Sequence, residues 1–238
     1  MTLTKDYCST DLSEKVLEGD LLVLIYLARH GQTRWNVEGR WQGSTDKPLD
    51  DTGIEQASIL ADRLGGYPIQ AVYSSPLKRA ANTAEASAKK LGLEVIFHDD
   101  LREICLGDWE GLTFLEIRKK YPAEFAKWEC DDNAQVGMGV ESNYDAQTRG
   151  VTALLGICET EKRDTLIVSH GGIINRLICR LLHIPLKHRQ GFRIQNTGLC
   201  VVECSFMEEE PRFQVVTIND FSHLLTSKTG AGLALTTF

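Results

Sequence analysis

This 238-residue chain lacks several features that membrane-spanning and secreted proteins have. No apolar run approaches the roughly 20 residues that cross a bilayer as a helix, and the run over residues 21–28 is far too short. The first 20 residues carry five acidic side chains, a composition foreign to signal peptides. We therefore expect a cytoplasmic protein without a membrane partner.

Excess positive charge and paired cysteines are also missing. Lys and Arg number 26 against 33 Asp and Glu, giving a net charge of -7, and no dense basic run occurs. Nucleic-acid binding relies on basic surfaces, so we expect no nucleic-acid partner. The seven cysteines are odd in number and include no Cys-x-x-Cys pair, which predicts free thiols. With 42% hydrophobic residues, the chain can bury the core of one domain.

Chemically capable side chains follow three apolar segments that have the pattern of strands. The segments are residues 21–27, expected to be fully buried and parallel, 71–73 and 165–168. The side chains beyond them are Arg29 and His30, then Arg79, then His170. Because the carboxyl ends of parallel strands meet at one edge of a sheet, we expect these groups to converge, with Glu103 as a nearby carboxylic acid. Two arginines, two histidines and a carboxylate predict a phosphoryl-transfer site.

Several separated motifs resemble those of the histidine phosphatase superfamily, which contains cofactor-dependent phosphoglycerate mutases and many phosphomonoesterases. They are Arg29-His30-Gly31-Gln32-Thr33 with Asn36, Gln42-Gly43, Ser74-Ser75-Pro76 through Arg79, and Ser169-His170-Gly171-Gly172. The resemblance runs from about residue 22 to about residue 220. It implies a three-layer α/β/α sandwich with a mainly parallel sheet and a helical cap insertion.

The resemblance also implies a role for each residue of the site. His30 attacks phosphorus through Nε2 to form a phosphohistidine, and nearby arginines favour its neutral form. Glu103 protonates the leaving oxygen and then activates water; the competing interpretation is a glutamate paired with Arg102. His170 binds the transferring group from the opposite side. The other phosphate-binding positions are Arg29, Asn36, Gln42, Gly43, Arg79 and Gly171. No metal ion or other cofactor is implied, because the arginines supply positive charge.

The cap insertion is expected over about residues 99–145. A capping box at Thr113–Glu116 begins one helix and Tyr121-Pro122 precedes another, whereas residues 131–143 have weak periodicity and predict a mobile loop. Four aromatic residues of this segment are either pocket walls or core, and their spacing favours core. They are Trp109, Phe114, Phe125 and Trp128.

Outside the cap, the pattern alternates between helices and strands. We expect a helix that begins with a capping box at Thr52–Glu55 and ends at Gly65-Gly66, a second helix with Pro76 in its first turn, and further strands. The further strands are residues 93–97, 200–204 and 213–218. The predicted domain is residues 21–221, between an N-terminal extension, 1–20, and a C-terminal tail, 222–238.

The segment after Glu103 helps to distinguish a mutase from a hydrolase. Phosphoglycerate mutases carry further Arg and Tyr residues there that hold the carboxylate of their substrate, whereas residues 104–111 contain neither. We infer a pocket without fixed cations beyond the phosphate subsite, and therefore predict hydrolysis of a small phosphomonoester. The segment Gly107-Asp108-Trp109-Glu110-Gly111 resembles α-ribazole phosphatases and related broad-specificity phosphatases, so α-ribazole 5'-phosphate is one candidate substrate.

Two alternatives to hydrolysis stay open. One is a cofactor-dependent phosphoglycerate mutase. The other is a noncatalytic module that binds a phosphorylated ligand, which would need the arginines but neither a nucleophile at His30 nor an acid at Glu103. A homodimer is an option known only at the level of the family.

Overall fold

A six-stranded sheet organises the protein in the computed structural model, which describes residues 21–206 and 211–225. The strands are β1 (Leu21–Arg29), β2 (Ala71–Ser74), β3 (Val95–Phe97), β4 (Thr165–Ser169), β5 (Leu199–Phe206) and β6 (Arg212–Asp220). Their order is β3-β2-β4-β1-β5-β6. The first four strands in this order pair in parallel, and β5 and β6 are added antiparallel. The predicted α/β class with a mainly parallel sheet is confirmed.

Helices cover both faces of this sheet. They are α1 (Arg34–Val37), α2 (Asp51–Leu64), α3 (Lys78–Leu91), α4 (Phe114–Lys120), α5 (Pro122–Cys130), α6 (Asn143–Glu161), α7 (Gly171–Leu181) and α8 (Ser222–Leu225). Successive side chains of a strand point to opposite faces. Accordingly, Tyr26 and Ala28 pack with α2 and α3, whereas Ile25 and Leu27 pack with α6 and α7. Two cores separated by one sheet make the three-layer sandwich.

Strand β1 differs from the expected fully buried parallel strand. It pairs in parallel with β4 on one side but antiparallel with β5 on the other. Leu21 and Leu22 are exposed at its beginning. Burial is complete only toward Arg29, where the strand passes between the two helical layers.

Two expected helix starts are wrong. The N-cap of α2 is Asp50, whose carboxylate accepts a hydrogen bond from Gly53 N at 2.8 Å, so Thr52 lies inside the helix. Helix α3 begins at Lys78, and Pro76 precedes it. Lys78 N donates to Asp46 Oδ1 at 2.7 Å, so a residue far away in sequence caps this helix. At α2 the prediction chose Thr52 where the neighbouring candidate Asp50 is the N-cap. At α3 the start depends on a contact with Asp46, which the local sequence does not reveal.

The insertion consists of two short helices and an irregular segment. The capping box of Thr113 and Glu116 at the start of α4 is confirmed. Residues 131–142 form no regular element, and Glu141 fixes their end by accepting from Cys105 N at 3.0 Å and donating its own N–H to Cys105 O at 2.8 Å. Ser142 then caps α6, a 19-residue helix that the sequence analysis did not identify.

The predicted terminal segments fall mostly outside the described residues. That is so for the N-terminal extension, 1–20, and for residues 226–238 of the tail. The first residues of the predicted tail form α8, with His223 and Leu224 buried. The six cysteines in the described part of the chain are free, and Cys8 lies outside it. Where the structure describes the chain, no helix is long and apolar enough to cross a membrane.

Candidate active site

A cavity of about 370 Å³ opens where β1, β2 and β4 end. All the proposed phosphate-site residues except His170 line it: Arg29, His30, Asn36, Gln42, Gly43, Arg79, Glu103 and Gly171. His170 is completely buried behind His30, with 5.2 Å between the two ring centroids. Parallel strand ends thus bring together residues that are as distant in sequence as Arg29 and Gly171.

His30 directly follows β1 and is only 2% exposed. Its Nδ1 lies 2.7 Å from Gly31 O. A carbonyl oxygen can only accept, so Nδ1 carries the proton and Nε2 keeps a free lone pair. Burial, followed by the charges of Arg79 and Arg29, lowers the pKa of His30 well below its usual value. The imidazole is therefore neutral at physiological pH, as attack on phosphorus requires.

His170 is the N-cap residue of α7, and both of its ring nitrogens have protein partners. Nδ1 accepts from Arg79 Nε at 3.2 Å, so Nε2 carries the proton and donates to Ser75 Oγ at 2.8 Å. Burial and then the Arg79 charge lower its pKa well below the usual value. The resemblance implies a direct bond from His170 to the phosphate, which would require one of these two bonds to be exchanged.

Arg29 ends β1 and is held by one backbone group. Its Nη1 donates to Ile194 O at 2.7 Å, whereas its buried Nε has no partner among the described residues. Gly171 lies close to this guanidinium: a Cβ built on it would be 3.3 Å from Nε. Burial lowers the pKa of Arg29 to about 10, so it stays charged at neutral pH.

Arg79, on the first turn of α3, is completely buried and held by three groups. Its Nε donates to His170 Nδ1, as described above. Its Nη1 donates to Thr45 O and its Nη2 donates to Gly43 O, both at 2.8 Å. Burial lowers its pKa to about 10. These bonds fix the plane of the guanidinium, which leaves its remaining N–H groups available to a ligand.

Glu103 faces the same cavity from the segment before the cap. Its Oε1 accepts from Ile104 N and its Oε2 from Gly172 N, both at 3.0 Å. Gly172 is in the first turn of α7, where free N–H groups and the helix dipole favour an anion. No arginine among the described residues lies within ion-pair distance of this carboxylate. The competing interpretation, a glutamate paired with Arg102, is therefore wrong, because Arg102 pairs with Asp99.

The loop after β1 supplies polar groups to the cavity. Asn36 Oδ1 accepts from Thr33 N at 3.0 Å in a capping box of α1, and from Asn196 Nδ2 at 3.3 Å. The orientation that these bonds give the amide turns its N–H₂ group away from them. Gln42 also lines the cavity, and its buried Oε1 has no partner in the described part of the chain.

Glu110 braces this loop, a function that the sequence analysis did not assign. Its Oε1 accepts from Ser44 N at 2.7 Å and from Leu106 N at 3.2 Å, and Oε2 accepts from Thr45 Oγ1. Gly43 has φ of +53°, and a Cβ there would collide with the Glu110 carboxylate. Glu110 thereby fixes the carbonyl groups that hold Arg79. The glycines at 107 and 111, on either side of Glu110, indicated that another segment packs closely here. The identity of that segment could not be inferred, because Ser44 and Thr45 are distant in sequence.

The expectation that no fixed cation lies beyond the phosphate subsite is wrong. Four further arginines line the cavity: Arg40, Arg176, Arg189 and Arg193. Arg176 and Arg189 are buried, at 4% exposure each. The expectation considered only residues 104–111, whereas these side chains come from α7 and from the turn at Leu186–Gly191.

The aromatic residues of the cap divide between pocket and core. Phe114 and Trp128 line the cavity, together with Trp41 and Phe192. Trp109 and Phe125 are buried core residues whose rings contact each other, with 5.8 Å between centroids. The cap therefore contributes two aromatic side chains to the wall of the cavity.

Comparison with known proteins gives the family. The family model described as histidine phosphatase superfamily (branch 1) matches residues 25–220. Phosphoglycerate mutase-like protein 4 of Arabidopsis thaliana is 40% identical over 84% of this chain and 86% of its own length. The metal-independent phosphoserine phosphatase of the same plant is 36% identical over 89% and 87%, respectively.

A solved structure agrees with these relatives. It is a putative alpha-ribazole-5'-P phosphatase from Escherichia coli, with a TM-score of 0.72 and 26% identity over 83% of this chain and 96% of that one. Phosphatase relatives support assignment of the chain as a phosphoric monoester hydrolase. The chain belongs to the histidine phosphatase superfamily.

Proposed function

We propose that this protein is a metal-independent hydrolase that removes phosphate from a small phosphorylated metabolite through a phosphohistidine at His30. One observation carries the proposal: a neutral, buried imidazole with a free Nε2 lies beside two guanidinium groups that have no carboxylate partner in the described residues. A nucleophile and fixed positive charge are what phosphoryl transfer needs.

In the first step, Arg29 and Arg79 bind the phosphoryl oxygens and His30 Nε2 attacks phosphorus. The bond from phosphorus to the substrate oxygen breaks as the bond to Nε2 forms. Protonated Glu103 gives its proton to the departing oxygen, which leaves as an alcohol. Arg29 and Arg79 stabilise the charge on the three equatorial oxygens, so no step requires a metal ion or another cofactor.

In the second step, water attacks the phosphohistidine. Glu103, now a carboxylate, takes a proton from that water, the bond to Nε2 breaks, and inorganic phosphate and free His30 are restored. Asn36 donates to the phosphate through its amide N–H₂ group. His170 keeps Arg79 oriented, and it binds the transferring group once one of its two present hydrogen bonds is exchanged.

The remaining proposed phosphate-site residues act through the backbone or by leaving space. A larger side chain at Gly171 would displace the Arg29 guanidinium. One at Gly43, whose carbonyl accepts from Arg79, would collide with the Glu110 carboxylate that braces this loop. Gln42 completes the wall of the subsite. We also propose that the protein is cytoplasmic and that its partner is a small molecule rather than nucleic acid or a membrane.

Hydrolysis is the first choice because phosphatases are among the relatives, not because cations are absent. The name of a mutase-like relative and the additional arginines keep phosphoglycerate mutase as the second candidate. α-Ribazole 5'-phosphate remains one candidate substrate, supported by the putative α-ribazole phosphatase structure. Phosphoserine is another, from the phosphoserine phosphatase relative.

The test is phosphate release with excess EDTA from a panel that includes p-nitrophenyl phosphate, α-ribazole 5'-phosphate, O-phosphoserine and 3-phosphoglycerate. We expect metal-independent turnover, an acid-labile phosphoenzyme after rapid quenching, and loss of both in His30→Ala. The matched control is His188→Ala, since His188 is exposed and lies outside the cavity wall.

Other results would select the alternatives. Interconversion of phosphoglycerates at rates rivalling hydrolysis would identify a mutase. Binding of phosphomonoesters without turnover by the wild-type protein would identify a noncatalytic binding module. Full activity in His30→Ala would refute the phosphohistidine mechanism.

A further inference from the structure

Buried arginines without an ion pair are concentrated at the cavity. Four arginines in the described residues are no more than 9% exposed: Arg29, Arg79, Arg176 and Arg189. None has a carboxylate within ion-pair distance, and all four line the cavity. An unpaired buried charge is costly, so such residues are rare unless something pairs with them. A bound phosphate accounts for the first two and leaves the second two unexplained.

Arg176 is held by two protein groups but keeps one nitrogen free. Its Nη1 donates to Gly172 O at 2.8 Å and its Nη2 donates to Asn143 Oδ1. Its Nε is buried without a hydrogen-bond partner in the described residues. Arg29 Nε shows the same feature at the phosphate subsite. Burial lowers the pKa of Arg176 to about 10, and the nearby Arg189 charge acts in the same direction.

Arg189 completes a pair of cations on one side of the cavity. Its Nη1 donates to Leu186 O at 3.1 Å, and its buried Nη2 has no partner within the described ranges. The guanidinium carbon lies 4.8 Å from the centroid of the Trp128 ring, and that of Arg176 lies 5.9 Å from the same ring. The cap helix α5 therefore holds both cations through one aromatic side chain.

The pair lies on the side of the cavity where the leaving group departs. Gly172 joins the two regions, because its N–H binds Glu103 Oε2 and its carbonyl accepts from Arg176. Glu103 is the proposed donor of a proton to the leaving oxygen. Arg176 therefore lies next to the residue that we propose protonates the leaving oxygen.

Asn175 adds an acceptor next to this pair. Its Nδ2 donates to Arg189 O at 3.1 Å and to Phe192 O at 3.3 Å, which leaves Oδ1 buried without a donor in the described part of the chain. An ammonium or hydroxyl group on the substrate would provide that donor.

We propose that Arg176 and Arg189 form a second anion subsite that binds a carboxylate on the leaving group, so that the substrates are short phosphorylated carboxylic acids. This inference rests on the proposed function. Arg176 Nε and Arg189 Nη2 lack hydrogen-bond partners in the described residues, and both residues line the cavity. A carboxylate would supply charge-assisted hydrogen bonds to this pair, and bonds of this kind are the strong ones. The subsite adds specificity that the phosphate subsite alone does not supply.

The test compares two substrates that differ only in the carboxylate: O-phosphoserine and phosphoethanolamine. Hydrogen bonds to charged groups contribute about 1.5–3 kcal/mol, or roughly 10- to 150-fold. We therefore expect wild-type kcat/KM to favour O-phosphoserine at least about tenfold. In Arg189→Met that ratio should fall toward one, through a higher KM for O-phosphoserine, and Arg189→Lys should restore part of it.

Arg180→Met is the matched control, because Arg180 is one turn from Arg176 on α7, exposed, and outside the cavity wall. It should keep the wild-type ratio. Arg176→Met should behave like Arg189→Met. Because Arg176 also braces two protein groups, its thermal unfolding is measured in parallel, and Arg189→Met decides the question if Arg176→Met does not fold.

Failure of this inference is distinguishable from failure of the proposed function. Turnover of both compounds with a ratio near one, or an unchanged ratio in Arg189→Met, would overturn the carboxylate subsite and leave the hydrolase intact. Absence of turnover would refute the hydrolase. Calorimetric binding of the two compounds then decides the subsite: preference for O-phosphoserine that Arg189→Met abolishes supports it, and equal binding overturns it.

Discussion

Arg79→Lys is a conservative change on the surface of a protein but a severe one at this site. The guanidinium is completely buried, and each of its three nitrogens has a partner: His170 Nδ1, Thr45 O and Gly43 O. A lysine keeps the positive charge but offers one nitrogen on a flexible chain. It cannot donate to all three partners and also present N–H groups to a phosphate in a fixed plane.

The structure sets the size of the effect. Each buried acceptor left without a donor costs about 1–3 kcal/mol, so two lost bonds predict a destabilisation of about 2–6 kcal/mol. In a chain of this length that lowers Tm by at least about 4 °C. Loss of one fixed donor to the transition state typically costs about 10²–10³ in kcat. We therefore expect kcat/KM of Arg79→Lys to fall at least about 100-fold.

The assay is hydrolysis of p-nitrophenyl phosphate together with thermal unfolding of each variant. Arg102→Lys is the control, because Arg102 is next to Glu103 in sequence but its exposed side chain pairs with Asp99. The control should change neither quantity measurably, since exposed ion pairs contribute little. Activity of Arg79→Lys within tenfold of the wild type would refute the argument that a fixed guanidinium plane is required.

Two further changes test the surroundings of the nucleophile. The pKa of His30 in the folded state is depressed, so below about pH 6.5 the unfolded chain binds a proton that the folded chain does not. The free energy of unfolding therefore falls as the pH is lowered, by up to about 1.4 kcal/mol per pH unit. His30→Gln should reduce this slope in urea unfolding between pH 6.5 and 5, and equal slopes would contradict the depressed pKa. Glu110→Gln turns an N–H₂ group toward the donors Ser44 N or Thr45 Oγ1 and should destabilise by about 1–3 kcal/mol with a lower kcat/KM. An unchanged Tm and kcat/KM would show that Glu110 does not position the loop.

The convergence of the site could be predicted because each residue follows a strand. His30 and His170 come directly after β1 and β4, which are neighbours in the sheet and pair in parallel up to Arg29 and Ser169. Apolar runs and the rule for strand ends suffice to place such residues at one edge. Glu103 could be named from the sequence as a nearby carboxylic acid, but its role required the resemblance, since the segment that carries it has no regular element to orient it.

The second cation pair could not be predicted from local pattern. Arg176 and Arg180 lie four residues apart on α7, a spacing that puts both on nearly the same helical face. One is buried against the cap and the other is exposed. The difference arises because α6 and residues 186–191 pack on α7, and because Asn143 of α6 and Trp128 of α5 contact Arg176. These are contacts between segments that are distant in sequence. The cap of α3 by Asp46 escaped prediction for the same reason.

The charged groups of the site are held by backbone dipoles rather than by one another. Arg29 donates to Ile194 O, Arg79 donates to two carbonyls, and Glu103 accepts from two backbone N–H groups. Had Arg29 and Glu103 paired, Glu103 would have weakened the positive charge that binds the phosphoryl group, and the pair would have held Glu103 in the carboxylate form, which has no proton to donate. A substrate would first have had to break that pair. Neutral dipoles fix the same positions while leaving the full charges available. Much of the desolvation and ordering of these groups is thus completed on folding, so that phosphate binding and the transition state require little further reorganisation.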